Sequence, residues 1–311
     1  MFSSPTKSVG TLLPSLGLIL ATTIWGSMFF MIKKVTTEIP VLDFLGWRFG
    51  LTAIFTALIF HKQVLRASKK AWFYGFILAI LYVGAQYLES IGLATVDASI
   101  SGFITGMYAV MTPILLLVIY RQPPRPTVIY ASVVATLGLA ILSLRGFSFG
   151  IGEIYTLAGS ICYSLHIVML GRFSKRADSS TLASTQLIMM GLLSLGLAAP
   201  GGITIPHTAF SWFALFYMAL LGGSLAMLLQ TWAQSRISQT RVAIIMTTEP
   251  VFAAITAVIF GGESVTMRLL LGGGLIVAAI IASELSSARK AKKYSVSSTP
   301  DRKSTRLNSS H

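Results

Sequence analysis

The sequence predicts an all-α integral membrane protein of ten transmembrane helices, folded as two five-helix inverted repeats around a central cavity. Three observations carry that expectation. The 311-residue chain is 54% hydrophobic and only 11% charged, with mean hydropathy +0.76, whereas soluble domains carry roughly a quarter charged residues. Its apolar residues fall in ten runs, each long enough to cross ~30 Å of hydrocarbon. Two pairs of segments, one member in each half, resemble each other at nearly the same offset.

The runs begin near Leu12, Asp43, Trp72, Ile100, Thr127, Ile151, Ser180, Phe210, Val242 and Arg268. The first lacks a small-residue cleavage site and reads as a retained helix rather than a secretory leader. Their direction follows from the basic residues between them. With the N-terminus placed inside, and leaving out Arg302, Lys303 and Arg306 far along the tail, the inner segments hold sixteen: Lys7, Lys62, Arg66, Lys69, Lys70, Arg121, Arg125, Arg172, Lys175, Arg176, Arg236, Arg241, Arg289, Lys290, Lys292 and Lys293. The outer loops hold four, Lys33, Lys34, Arg145 and Arg268. That bias predicts both termini in the cytoplasm. It also accounts for the net charge of +14 without nucleic acid as a partner, the bilayer being the surface that the chain meets.

The expected organisation is a cytoplasmic tail over residues 1–11, a first repeat over 12–146, a second over 147–286 and a disordered cytoplasmic tail over 287–311. The tail is rich in Ser, Lys and Arg and poor in apolar residues, so it cannot bury enough surface to order itself. Its closing stretch, DRKSTRLNSSH, bears no relation to what precedes it.

The repeat rests on two alignments. TIWGSMFFMIKK near the start matches SICYSLHIVMLGR, with Trp25 opposite Tyr163; YAVMTPILLLVIY matches IMTTEPVFAAITAVIF, with Pro113 opposite Pro250. The offsets are 138 and 137 residues. An odd number of helices per half sends the second copy into the membrane from the opposite side, and opposed halves of this kind open a shared midplane site to either face in turn.

The ninth run contains a carboxylate and a proline side by side, Glu249-Pro250. Pro250 removes an N–H and frees the carbonyl one turn earlier, at Met246, for which the Thr247 and Thr248 hydroxyls are the nearest expected partners. A charge at the bilayer centre costs about 2.5–3.5 kcal/mol even on insertion scales, so Glu249 must face protein or water. It is then either a buried carboxylate paired with Arg48, a protonated one bonded within the bundle, or a group that meets substrate or proton. In the third run Tyr82, Gln86 and Glu89 fall at i, i+4 and i+7, one helical face, which is expected to line a cavity or form an interhelical seam. Trp25, Met28 and Phe29 share a face of the first helix; Tyr163 and His166 share one on the sixth. Thr105, Tyr108 and Thr112 align on the fourth, and Met227, Gln230 and Gln234 on the eighth. The candidate cavity set is therefore Trp25, Met28, Tyr82, Gln86, Glu89, Tyr108, Tyr163, His166, Gln230 and Glu249, with Pro113, Pro250 and Arg48 as structural or gating residues. The GxxxG pairs Gly46/Gly50 and Gly102/Gly106 are expected to let helices approach closely. Lone Cys162 is expected to be a small buried residue.

WGSMFFMIKK in the first helix, Arg48 in the second, MTTEPVFAAITAVIFGGES in the ninth and LLLGGGLIVAAII in the tenth resemble the signatures of the drug/metabolite transporter superfamily, in its ten-helix branch with two EamA-like domains. The resemblance reaches to about Glu284, and Glu249-Pro250 followed by Gly262-Glu263 is its most specific element. Within that superfamily the chain is most similar to bacterial exporters of aromatic amino acids, the YddG type. This implies a secondary transporter of the bacterial inner membrane. One departure stands out: the first copy has Thr112-Pro113 where the second has Glu249-Pro250, so any role of the glutamate is single.

Absences narrow the substrate. The helices offer only Arg48, placed near the outer end of its span, whereas phosphorylated substrates call for several fixed cations. No Walker A motif couples the chain to ATP, four dispersed histidines make no metal site, and no cofactor is implied. A small amphipathic substrate moved by alternating access fits best, foremost an aromatic or other apolar amino acid. Export of lipophilic organic cations, drawn by Glu89 and Glu249, is the alternative. A membrane-embedded enzyme using Glu249 and His166 lacks an assignable nucleophile–base pair, and a structural or signalling subunit predicts polar residues that tolerate substitution without loss of flux. Direction, energy coupling and oligomeric state carry no recognisable motif.

Overall fold

The computed structural model describes residues 9–279, apart from 97, 122, 124–125, 144–149, 262–264, 268–269, 273 and 276–277. Each regular element among them is helical. The first span is broken into α1 (Val9–Gly26) and α2 (Phe29–Thr36); α3 (Val41–Ile59) follows, then the short α4 (His61–Leu65) and α5 (Lys69–Leu93). The fourth span is α6 (Ala98–Gly106) with α7 (Tyr108–Tyr120), and α8 (Pro126–Ser143) completes the first half. The second half holds α9 (Ile151–Phe173) and α10 (Ser179–Ala198). Next comes a span made of α11 (Ala209–Tyr217), a π-helical stretch (Met218–Leu225) and α12 (Ala226–Gln234), and then the broken pair α13 (Gln239–Met246) and α14 (Glu249–Gly261).

Among the described residues, seven helices are long and apolar enough to cross a membrane. The chain is an all-α, multi-spanning bundle. Where a described helix answers an expected run, it starts at or slightly before the expected position, as α5 does at Lys69 and α13 at Gln239. The expected tenth helix lies largely outside the described residues, as do the tail from 287 and the first eight residues.

Short polar side chains set several starts. Ser68 Oγ accepts from Ala71 N–H at 3.2 Å, Asp178 Oδ2 from Thr181 N–H at 2.9 Å and Thr208 Oγ1 from Ser211 N–H at 3.2 Å, satisfying amides that helix geometry leaves open. Large apolar side chains such as Leu58, Val118 and Ile259 are exposed, as an outer surface bathed in acyl chains requires. The buried interior is mixed, with Gln86, Gln186, Gln230 and Gln234 all 3% exposed or less. Cys162 corrects one expectation: it is half-buried rather than enclosed.

The strongest helix pairings cross between the halves. α3 packs along α10, α5 along α9 and α10, α1 along α12 and α14, α7 along α9, and α3 against the π stretch. Absent side chains permit this. A Cβ at Gly75 would lie 2.8 Å from Gln186 N, and one at Gly191 would lie 2.5 Å from Ala53 Cβ, so both interfaces close only because these residues are glycine. Gly46 and Gly50 likewise face Ala198 and Leu195 of α10.

At one end of the bundle the turn after α2 is tied to the start of α11. Glu38 accepts from the His207 and Thr208 amides, the latter at 3.0 Å, from Thr208 Oγ1 at 2.9 Å and from Ser211 Oγ. The Ser211 hydroxyl, then the His207 N–H and the Thr208 groups, hold this carboxyl down from 4.5 to about 2. Beside it, Asp43 Oδ2 accepts from Thr204 N–H at 3.0 Å, Trp47 Nε1 donates to Thr204 O at 2.9 Å, and the Trp47 and Trp212 rings meet edge-on at 5.0 Å.

Candidate functional site

The ninth span breaks where Pro250 dictates. α13 ends at Met246, and Thr247 and Thr248 donate their amides to Ile244 O and Ile245 O, each at 3.1 Å, in a tightened last turn. Met246 O, which Pro250 cannot serve, accepts instead from Tyr108 Oη on the fourth span at 2.5 Å. This corrects the expectation that the adjacent threonines fill the gap. Their hydroxyls fold back onto Ile244 O at 2.6 Å and Ile245 O at 2.8 Å, and Thr248 Oγ1 also meets Thr22 Oγ1 at 2.7 Å. Pro113 repeats the arrangement: Ala109 O, its stranded carbonyl, accepts from Ser132 Oγ at 3.3 Å. In both spans a hydroxyl from another helix offsets the missing donor.

Beside this break lies a cavity, lined by α1, α2, α3, α5, α6, α7, α9, α12, α13 and the start of α14. All ten residues proposed for it from the sequence border it, and so does Arg48. Pro113 and Pro250 do not. Thr105 joins the lining from its predicted face, while Thr112, Met227 and Gln234 are buried elsewhere. Four apolar members, Ile32, Ile167, Met246 and Phe29, complete the wall; nothing distinguishes the first three from other apolar residues in the sequence.

Arg48 is not near the end of its span. It sits eight residues into a nineteen-residue helix, is 2% exposed, and donates through Nη1 to Gln86 Oε1. Of the alternatives open for Glu249, pairing with Arg48 is not the one adopted: the guanidinium makes an arginine–amide contact instead. The amide passes the interaction on: Gln86 Nε2 donates to Glu89 Oε2 at 2.6 Å and also to Tyr163 Oη. Glu89 Oε2 further accepts from Tyr163 Oη at 2.9 Å, and Oε1 from Thr105 Oγ1 at 2.7 Å. Three donors from three helices therefore surround Glu89, which acts as a cross-brace.

Glu249 is different. Among the described residues its one hydrogen-bond partner is Tyr108 Oη, 3.3 Å from Oε2, a hydroxyl whose shorter contact is to Met246 O. A carboxylate has about four acceptor sites, so most of its capacity faces the cavity. The two intramembrane glutamates, alike in the sequence, are separated by their partners.

Aromatic edges shape the remainder. Tyr82 meets Phe49, Tyr163 and His166 edge-on at 6.1, 5.5 and 5.1 Å. Trp25 Nε1 donates to Gly222 O in the π stretch at 2.9 Å, which fixes the indole. A Cβ at Gly222 would come within 1.9 Å of Met28 Cε, so the thioether that borders the cavity seats in a notch of the eighth span. His166 Nε2 lies 3.3 Å from Gln186 Oε1, and Gln186 Nε2 donates to Thr231 Oγ1 at 3.2 Å. His166 is thereby held as a packed, bonded residue. The described residues contain no grouping of three or more His, Cys, Asp or Glu able to hold a metal.

Comparison with known proteins agrees with this architecture. The sequence pattern of the EamA-like transporter family matches residues 12–144 and 150–284. An uncharacterized transporter of Archaeoglobus fulgidus is 28% identical over 278 residues, covering 88% of this chain and 87% of its own. A protein of known crystal structure has the same fold, with a TM-score of 0.73 at 17% identity over 89% of this chain and 98% of its own. With the family pattern matched along most of its length, the chain belongs to the EamA-like transporters of the drug/metabolite transporter superfamily, as a multi-pass membrane protein whose work is to carry a small molecule rather than to transform one.

Proposed function

We propose that the protein is a secondary transporter that exports small amphipathic metabolites, foremost aromatic and other apolar amino acids, across a bacterial inner membrane with both termini in the cytoplasm. The cavity carries this reading: it combines an aromatic wall with a single guanidinium and one under-bonded carboxylate, suiting a zwitterion with an apolar body and giving a phosphorylated solute too few cations.

Alternating access between inverted halves, 12–146 and 147–286, is part of the proposal. Exchanging first for sixth span, second for seventh and so on carries the helix contacts onto one another. α1 with α12 becomes α9 with α5, α1 with α14 becomes α9 with α7, and α3 with the π stretch becomes α10 with α5. The two family matches, one in each half, support the same reading.

The test is a counterflow screen with purified protein in liposomes and labelled amino acids. Exchange of phenylalanine, tryptophan, tyrosine, methionine or leucine above protein-free liposomes is the expected result; exchange of none of them refutes the substrate assignment. Export of lipophilic cations is the second reading, favoured by the open acceptor sites of Glu249. It predicts cation flux that disappears in Glu249→Gln.

A further inference from the structure

We infer that the unpartnered edge of the Arg48 guanidinium seats a carboxylate of the substrate, so that the transported molecule must carry one; this deepens, and rests on, the amino acid reading above. A guanidinium offers five N–H donors in a planar fork. Among the described residues Nη1 is engaged by Gln86 Oε1, Nη2 reaches only Met28 Sδ at 3.7 Å, and Nε has no partner. Phe49 and Phe44 lie with their ring centres 5.1 and 5.9 Å from Cζ, which cushions the charge but accepts no conventional hydrogen bond. Glu89, the carboxylate nearest along the bonded chain, is reached only through Gln86 and is already served by Gln86, Tyr163 and Thr105.

A cation that is 2% exposed, borders the cavity and lacks direct anionic contact among the described residues is expensive to keep buried. Nε and Nη2 share the side of the fork that a carboxylate meets with two parallel bonds. A thioether is a weak acceptor, so an arriving carboxylate displaces Met28 Sδ from that side. Met28 is the residue at which the first span breaks, and its methyl group sits in the Gly222 notch; occupancy of Arg48 is thereby felt at a joint of the first span and in the eighth. One fork matches one monoanion, and Glu249, in the same cavity, receives the ammonium. An amphipathic cation without a carboxylate leaves the Arg48 edge unmet and is rejected.

The experiment compares L-phenylalanine, L-phenylalaninamide and hydrocinnamate for binding to the full-length protein in nanodiscs, with wild type, Arg48→Lys and Arg48→Gln. Wild type is expected to bind phenylalanine at least about tenfold (~1.4 kcal/mol) more tightly than its amide. In Arg48→Gln that preference shrinks below about threefold, with Arg48→Lys between the two. Because both ligands are measured on one preparation, partial misfolding lowers both and leaves their ratio intact. Equal binding of acid and amide by wild type overturns the inference without recourse to any variant, and so does an undiminished ratio in Arg48→Gln. Binding of hydrocinnamate as tight as phenylalanine keeps the carboxylate seat and removes the ammonium from the site. Absence of binding by phenylalanine and every other apolar amino acid defeats the substrate reading itself, and this inference falls with it.

Discussion

Tyr108→Phe removes one oxygen and asks what lets the ninth span carry Pro250. The Tyr108 side chain is 1% exposed, and its hydroxyl gives the 2.5 Å bond to Met246 O, the carbonyl stranded by the proline. Leaving a buried acceptor unmet costs about 1–3 kcal/mol. Interhelical hydrogen bonds in membranes average only ~0.6 kcal/mol because the separated helices find other partners. Met246 O has no such substitute within its own helix, since residue 250 has no N–H to offer. The expected loss is therefore ~1–2 kcal/mol. Pro250→Ala returns that N–H, so in its background Tyr108→Phe should cost less than ~0.5 kcal/mol, a coupling of about 1 kcal/mol. The assay is a double-mutant cycle by reversible unfolding in mixed micelles, using wild type, both single variants and the double. Additive effects, within ~0.3–0.5 kcal/mol, would refute the account of how the break is supported.

Three further outcomes follow from the same geometry. Glu38 titrates near 2 when folded against 4.5 when free; since the folded value is the lower, its stabilisation is full above 4.5 and fades as pH falls toward 2. Thermal unfolding followed across that window should show the loss in wild type and a flatter profile in Glu38→Gln. Within α5, Gly75→Ala should destabilise by about 1–3 kcal/mol because its Cβ meets backbone of α10, whereas Gly84→Ala, with nothing within 4 Å, should stabilise by ~0.5–1 kcal/mol; melting temperatures of the pair decide it. Glu89→Gln should lower the unfolding temperature, because it disrupts an acceptor served from three helices, while Glu249→Gln should leave folding intact and reduce flux in liposomes. Equal thermal penalties for the two would contradict the division of roles.

The cavity was legible because a polar side chain inside an apolar run has few places to go. Tyr82, Gln86 and Glu89, one helical face apart from the lipid, announced themselves by spacing alone. Gln230 and Tyr163 did so less strongly, yet they reach the same space. What escaped was whatever depends on partners distant in the chain. Arg48 reads as peripheral from its place in the second run, but α3 begins two residues before that run and sets Arg48 eight residues in, where it meets Gln86 of α5. The breaks at Met28 and Met107 have no proline to mark them, unlike the one before Pro250. Gln186 gives no hint of His166, and Glu38 reads as an ordinary loop carboxylate until the start of α11 is brought to it. Ile32 and Ile167 are apolar residues among many, so composition cannot single them out.

The wide turn at Met218–Leu225 has a geometric consequence for everything beyond it. A π-helical turn holds one residue more than an α-helical turn, so its presence sets the rotational phase of α12. Were that surplus residue released, the helix after it would swing by roughly 100° and advance by ~1.5 Å, carrying Gln230 off the cavity wall without breaking a span. The Gly222 and Gly223 positions, pressed by Met28 and Thr52 respectively, are where such a phase change would be sensed by the first and second spans.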